Sequence, residues 1–262
     1  MNIIVLIKQV PGTANVRMNP DTGTMIREAA GAEMNPLDVH AVTEAVRLKD
    51  MYPGTIVTAL TMGPGSADKV LQEAVARGVD KGILLSHRAF AGSDTIATAR
   101  VLSAAVRKLG MADLILAGDK TTDGETGQTG PMTAAMLDIP VVAFARKLEI
   151  VNGSAHVERM VETGIEKLKV SLPALITVVR DINKPALPPL RKVLAAKKIS
   201  FPVWGSDELG IKEEEIGLKG SPTRVVKVFS PKFARQTVFY QADDVDKALD
   251  AVLDVLKTRQ LL

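Results

Sequence analysis

The chain has 262 residues, of which 46% are hydrophobic and 24% charged, and a formal net charge of +3; this is the composition of a globular protein long enough to bury a large core. Aromatic residues are only 3% and the basic residues are scattered, so neither a base-stacking platform nor a basic stripe for nucleic acid is present. Cysteine is absent, and the three histidines, His40, His87 and His156, are not spaced as metal ligands, which excludes disulfides, thiol catalysis and iron–sulfur ligation by this chain.

The opening run Asn2–Ile7 is apolar and strand-like. It is too short to span a membrane and does not read as a signal peptide, so a cytoplasmic protein without membrane insertion is expected. Asn35-Pro36 offers an N-cap and a proline at the first helical position. The helix it opens, Leu37–Asp50, is predicted to carry Val39, Val42, Ala45 and Val46 inward. Thr55–Thr61 reads as a second buried strand, and Ser66 as the cap of a helix over Ala67–Arg77 that faces inward through Val70, Leu71, Ala74 and Val75 and ends at Gly78. Lys81–Ser86 is a third strand, Thr95–Leu109 a helix opened by Ser93 and Asp94, and Asp113–Ala117 a fourth strand. This repeated strand–helix order predicts an α/β fold with a doubly wound, mostly parallel sheet.

Beyond residue 140 the pattern changes. Val141–Val151, Ala155–Glu162, Glu166–Leu172 and Ala174–Arg180 are strand-like, with a hairpin signal at Asn152-Gly153. They read as a mixed or antiparallel extension of the same sheet. From Asn183 the chain is proline-rich, then forms a short basic helix over Leu190–Lys198; 206–241 shows no core pattern, and Asp243–Leu256 is an amphipathic helix. The expected division is an α/β nucleotide-binding domain over 1–182 and a docking loop with a C-terminal arm over 183–262, the arm packing on a partner subunit.

In a doubly wound sheet ligands bind beyond the carboxyl ends of the strands. Four loops leave those ends: Lys8–Thr13, Met62–Ser66, His87–Ser93 and Gly118–Gln128. The last belongs to a run ending at Pro131 with four glycines and four threonines, between a strand and a helix start at Met132. Such a loop offers free backbone N–H groups and hydroxyls at a positive helix end, which suits a phosphate or pyrophosphate. Its acids Asp119, Asp123 and Glu125 would repel a phosphate unless they point away, bind ribose hydroxyls or hold a cation, and these alternatives stay open. No GxGxxG follows the first strand, and neither a P-loop nor a nucleophile elbow is present. No nucleophile–base pair suggests a self-contained hydrolase or transferase, and no metal site is expected. The chain reads as a holder of a ligand.

Several segments together resemble the β subunit of electron-transfer flavoproteins over essentially the whole chain. They are Ile3–Lys8 with Gln9-Val10-Pro11, Met34-Asn35-Pro36-Leu37-Asp38, Glu44–Lys49, Thr61-Met62-Gly63-Pro64, Ala74–Asp80, Asp113–Pro131 and Asn183-Lys184-Pro185. The resemblance implies a heterodimer with an α subunit that carries one FAD. It also implies a nucleotide bounded by Leu6, Asn35, Pro36, Leu37, Asp38 and Met62, with its phosphates wrapped by Gly118, Asp119, Lys120, Thr121, Thr122, Asp123, Gly124, Glu125, Thr126, Gly127, Gln128 and Thr129.

Ordinary members of the family hold AMP at this site, whereas electron-bifurcating members hold a second FAD. Asp123-Gly124-Glu125-Thr126 and the stretch His87–Thr95 resemble the bifurcating type, which brings Arg88, Phe90, Ser93, Asp94 and Thr95 toward a flavin. Leu190–Lys198 resembles the ordinary type equally well, so both cofactor readings stay open. The bifurcating reading implies NADH as electron donor, an acyl-CoA-dehydrogenase-like or other flavin dehydrogenase as one acceptor, and ferredoxin or flavodoxin as the other. Leu187, Leu190, Arg191 and Lys192 would then dock the dehydrogenase. A nucleotide-binding signalling module of the universal-stress type is the alternative from another class.

Overall fold

The computed structural model describes residues 1–12, 17–18, 25–26, 31–110, 112–226 and 237–262. Thr13, at the end of the first expected ligand loop, lies outside the described residues, as does 227–236 of the segment without a core pattern. The chain forms two units, Met1–Val226 and Lys227–Leu262. In the first, β1 (Asn2–Ile7), β2 (Gln9–Pro11), β3 (Arg17–Met18), β4 (Met25–Ile26) and β5 (Ala32–Met34) precede α1 (Pro36–Met51). Then come β6 (Ile56–Met62), α2 (Asp68–Arg77), β7 (Lys81–Leu85), α3 (Thr95–Lys108), β8 (Leu114–Gly118) and α4 (Thr129–Leu137). The later elements are β9 (Val141–Val151), β10 (Ser154–Val161), β11 (Gly164–Ser171), β12 (Ala174–Val178), α5 (Leu190–Ala196), β13 (Val203–Trp204), α6 (Ser206–Leu209) and α7 (Gly217–Gly220).

A nine-stranded sheet has the order β11-β10-β9-β12-β8-β1-β6-β7-β13. Its centre is parallel: β1 runs with β6 on one side, Leu6 opposite Leu60, and with β8 on the other, Leu6 opposite Ala117. β9, β10 and β11 form the antiparallel extension, while β12 returns inside it, parallel to β8 and β9. Alternation along β1 divides the core in two. Ile3, Val5 and Ile7 join Ala41, Val42 and Leu71 of α1 and α2 on one face; Ile4 and Leu6 join Val101, Ala105 and Ala134 of α3 and α4 on the other. Covering both faces is what requires near-continuous apolar strands such as Leu114–Ala117. The doubly wound parallel fold is as expected.

Several local expectations change. Asn35 stands at the N-cap of α1, but its side chain makes no capping bond. The buried face of α1 is broader than the apolar stripe: Asp38, His40 and Glu44 are buried too, because each finds polar partners across the fold. Ser66 does not cap α2. A short 3₁₀ turn over Gly65–Ala67 carries the chain into that helix, which buries Ala76 where Val75 was expected. Asp94 does cap α3, accepting hydrogen bonds from the amides of Ile96 and Ala97 at 3.0 Å.

The first unit runs past residue 182, where the sequence reading divides the chain. β13 pairs with the end of β7, and Ser206 and Ile216 are buried, so 183–226 complete the sheet edge and its covering layer. In the second unit α8 (Val245–Thr258) leaves Val245, Leu249, Val252 and Val255 more than half exposed. Among the described residues no helix is long and apolar enough to cross a membrane.

Candidate functional site

The carboxyl ends of β1, β6, β7 and β8 open into a cleft of about 700 Å³. It lies where the chain, having built β6 and β7 on one side of β1, crosses to build β8 on the other, which is the switch point where such sheets bind ligands. Leu6, Met62, Phe90 and Ala117 form an apolar floor. One wall runs from Ser86 to Thr95 and the other from Gly118 to Gly130.

The second wall is held by the start of α1. Asn35 is fully buried; its amide donates to the carbonyl of Lys120 at 2.9 Å and accepts from the Thr122 amide at 3.2 Å. A side chain that sequence reasoning assigns to a cap therefore shapes the ligand loop. Asp38, 4% exposed, accepts the amides of Lys8 at 2.7 Å and Gly118 at 3.1 Å, so one carboxylate ties the ends of β1 and β8 together. Burial raises its pKa from 3.8 to about 7, against the pull of these hydrogen bonds and of the Lys8 charge. Gly118 has no room for a side chain: a Cβ would stand 2.8 Å from the backbone of Leu37. Pro36, in the first turn of α1, and Leu37, packed behind Gly118, support the wall without lining the cleft.

The three acids of the loop are each accounted for locally. Asp123 lies outside the lining and pairs with Lys8 Nζ at 2.7 and 2.8 Å; burial alone would raise its carboxyl, but Lys8 together with hydrogen bonds from Thr121 and the backbone outweighs burial and holds it below the usual range. Glu125 also lies outside the lining and approaches Lys120 Nζ at 3.7 Å. Asp119 lines the cleft, accepts from the Thr177 hydroxyl at 3.4 Å, and is raised by burial. Thr121, Gly124, Thr126, Gly127, Gln128 and Thr129 line the same wall, and Lys120 its outer end. Gly127 takes φ of +62°, and α4 starts at Thr129 with no side chain capping it. The Thr129 and Gly130 amides of its first turn are therefore available to an anion, Pro131 having no N–H and Met132 donating to the Gln128 carbonyl.

The first wall uses several side chains structurally. Ser93 donates to the Phe90 carbonyl at 2.8 Å and accepts the Gly217 amide at 3.1 Å. Asp94 caps α3 and accepts the Thr223 amide and hydroxyl at 3.1 and 2.8 Å; these bonds outweigh its burial and lower its pKa. Thr95 reaches across the cleft to Gln128 at 3.4 Å. Arg88 is exposed and lines the cleft, in a 3₁₀ turn after β7.

The structure thus brings together most of the expected nucleotide residues, while Asn35, Pro36, Leu37, Thr122, Asp123 and Glu125 lie outside the cleft lining. Residues not singled out from the sequence also line the cleft: Lys8, Pro64, His87, Thr98 and Gly130. Their signal was present, because Lys8, Pro64 and His87 belong to the strand-end loops and Thr98 follows Thr95 by three residues on one helix face. The docking candidates lie apart from the cleft lining. Leu187 and Leu190 are 89% and 72% exposed, and Arg191 and Lys192 are exposed beside them.

A family model described as electron transfer flavoprotein domain matches residues 22–208. The electron transfer flavoprotein subunit beta of Thermoanaerobacterium thermosaccharolyticum is 40% identical over 263 residues, all of both chains. The caffeyl-CoA reductase-Etf complex subunit CarD of Acetobacterium woodii is 37% identical, again over all of both chains. Protein FixA of Azotobacter vinelandii is 43% identical over 239 residues, 88% of this chain and 85% of FixA. With this fold, and similarity over its full length to a β subunit, the chain belongs to the electron transfer flavoprotein family, on its β-subunit side.

Proposed function

We propose that this chain, paired with an α subunit carrying one FAD, holds a second FAD in the cleft and serves an electron-bifurcating complex. The observation that carries this reading is the size and lining of the cleft. At about 700 Å³ it takes in the uncapped start of α4, Thr95 and Gln128 and, on the wall after β7, the exposed Arg88 and His87. An adenylate held by the Gly118–Thr129 wall leaves the wall lined by Arg88 and His87 for a larger group.

The residues fit a dinucleotide. Gly118 and Gly127 admit close backbone approach, α4 offers amides to phosphate, and the loop acids are paired or hydrogen-bonded, which reduces repulsion. When bound, FAD supplies a two-electron acceptor for NADH that passes electrons singly, one toward the α-subunit flavin and a dehydrogenase, the other to ferredoxin or flavodoxin. The chain positions that group, closes the apolar floor beneath it, and sets Arg88 where a cation stabilises developing negative charge.

The name of CarD, a subunit of a caffeyl-CoA reductase complex, supports an acyl-CoA-dehydrogenase-like partner. The exposed Leu187 and Leu190 form its docking anchor, and the segment from Lys227 onward is the arm that engages the α subunit.

The second reading is a simple electron carrier whose β site holds only AMP. It is favoured by the docking segment, where Leu190 is exposed in a stretch that resembles ordinary members. Counting cofactors in the purified heterodimer separates the two: two flavins support bifurcation, while one flavin with AMP overturns it. A colourless complex with bound ATP would indicate the signalling module, an alternative that family membership sets aside.

A further inference from the structure

We propose that Asp38 is a proton-coupled positioning residue, whose buried carboxyl sets the spacing between the ends of β1 and β8 and takes up a proton when negative charge enters the cleft. This rests on the nucleotide reading of the cleft and goes beyond it.

The geometry comes first. One carboxylate oxygen accepts the Lys8 amide at the end of β1, and the other accepts the Gly118 amide at the end of β8. Both strands lead into the cleft, and Asp38 itself lines it. A carboxylate accepts two N–H groups at once, whereas a protonated carboxyl gives up part of that capacity to its own O–H. The charge state of Asp38 therefore alters the grip on Gly118, from which the phosphate wall begins.

Its surroundings leave the charge poorly compensated. Lys8 is the nearest cation, but its ammonium is engaged by both oxygens of Asp123. Asp119 and Lys120 stand on the loop beyond Gly118, and Lys120 is drawn toward Glu125 at 3.7 Å. On α1 itself His40 contacts Asn183 at 3.1 Å and Glu44 is bound to Arg47 and Asn183; of the elements packed on α1, α2 carries Asp68, Lys69, Glu73 and Arg77 and the turn after β12 carries Arg180 and Asp181, and Glu33 lies on β5. Burial without a free counter-ion favours the neutral form, in keeping with the raised pKa of about 7. An anion arriving in this low-dielectric cleft raises the proton affinity further. By linkage, affinity for the anion falls as pH rises through neutrality.

The test uses the full-length chain with its α-type partner, stripped of the nucleotide in this cleft. Calorimetric titration with FAD, in buffers of different ionisation enthalpy near pH 7, is expected to show fractional proton uptake that disappears in Asp38→Asn. Equal uptake in both proteins overturns the proposal. Since the variant can misfold, ¹³C-carboxyl NMR of the wild type provides an independent arm. The Asp38 carboxyl should titrate near neutrality, the Lys8 and Gly118 amide shifts should follow it, and FAD should move the midpoint upward. A carboxyl that titrates in the ordinary range, or amides that do not follow it, overturns the proposal. If neither FAD nor AMP binds, the nucleotide reading of the cleft fails, while the unliganded titration still decides whether Asp38 couples the two strand ends.

Discussion

At Gly127 a single dihedral decides what the loop tolerates. Its φ of +62° excludes β-branched side chains, although a Cβ there would meet nothing closer than the Asp119 carbonyl at 3.6 Å. The constraint is conformational and not steric. Strain of about 1–3 kcal/mol predicts that Gly127→Val lowers nucleotide affinity by about tenfold or more, measured as cofactor retained through purification. Asp38 adds a pH dependence of stability. Its pKa rises from 3.8 unfolded to about 7 folded, so the folded chain holds a proton that the unfolded chain releases. The stabilisation is complete below pH 3.8 and is lost as pH rises to about 7. In denaturant unfolding, the stability of wild type relative to Asp38→Asn should decline across that window and level off above it.

Among the elements, α3 and the docking segment make opposite demands. The Asp94 cap joins α3 to Thr223 and so to the layer that closes the sheet edge. Asp94→Ala should cost about 1 kcal/mol or more of stability, read from the denaturation midpoint. In the docking segment, Arg77 holds the Ala186 carbonyl at 3.0 Å and Asn183 anchors the base on His40 and Glu44, while Leu187 and Leu190 project outward. Because Leu190 is 72% exposed, Leu190→Ala should change stability by less than about 0.5 kcal/mol. Electron transfer to the dehydrogenase should slow by about tenfold, the loss of a central interface anchor, with flavin content unchanged. Unaltered transfer would move the anchor elsewhere.

For the whole molecule, the chain divides at Val226 into two compact units. Both hydrophobic clusters and every cleft residue lie within Met1–Val226. Removing residues 227–262 should therefore leave the cleft able to bind nucleotide while weakening association with the α subunit, checked by equilibrium dialysis and by size-exclusion chromatography of the mixed subunits.

Sequence alone determined the alternation of strands and helices, the parallel sheet and three of the strand-end loops that line the cleft, because local periodicity and Gly/Pro punctuation encode them directly; of the expected Lys8–Thr13 loop only Lys8 lines it, Gln9–Pro11 being a strand paired with β5. It also marked Gly118–Thr129 as a wall of the cleft. Only the tertiary structure decided which polar residues serve that wall from behind. Asn35 reads locally as a helix cap, and its bonds to Lys120 and Thr122 span 85 and 87 positions. The pairing of Lys8 with Asp123 spans 115, and no local pattern distinguishes that acid from Asp119 or Glu125. β13 is two residues between Pro202 and Gly205, strand-like only because the edge of β7 is there to pair with it. Elements are set by neighbours in sequence; the electrostatics of the cleft are set by neighbours in space.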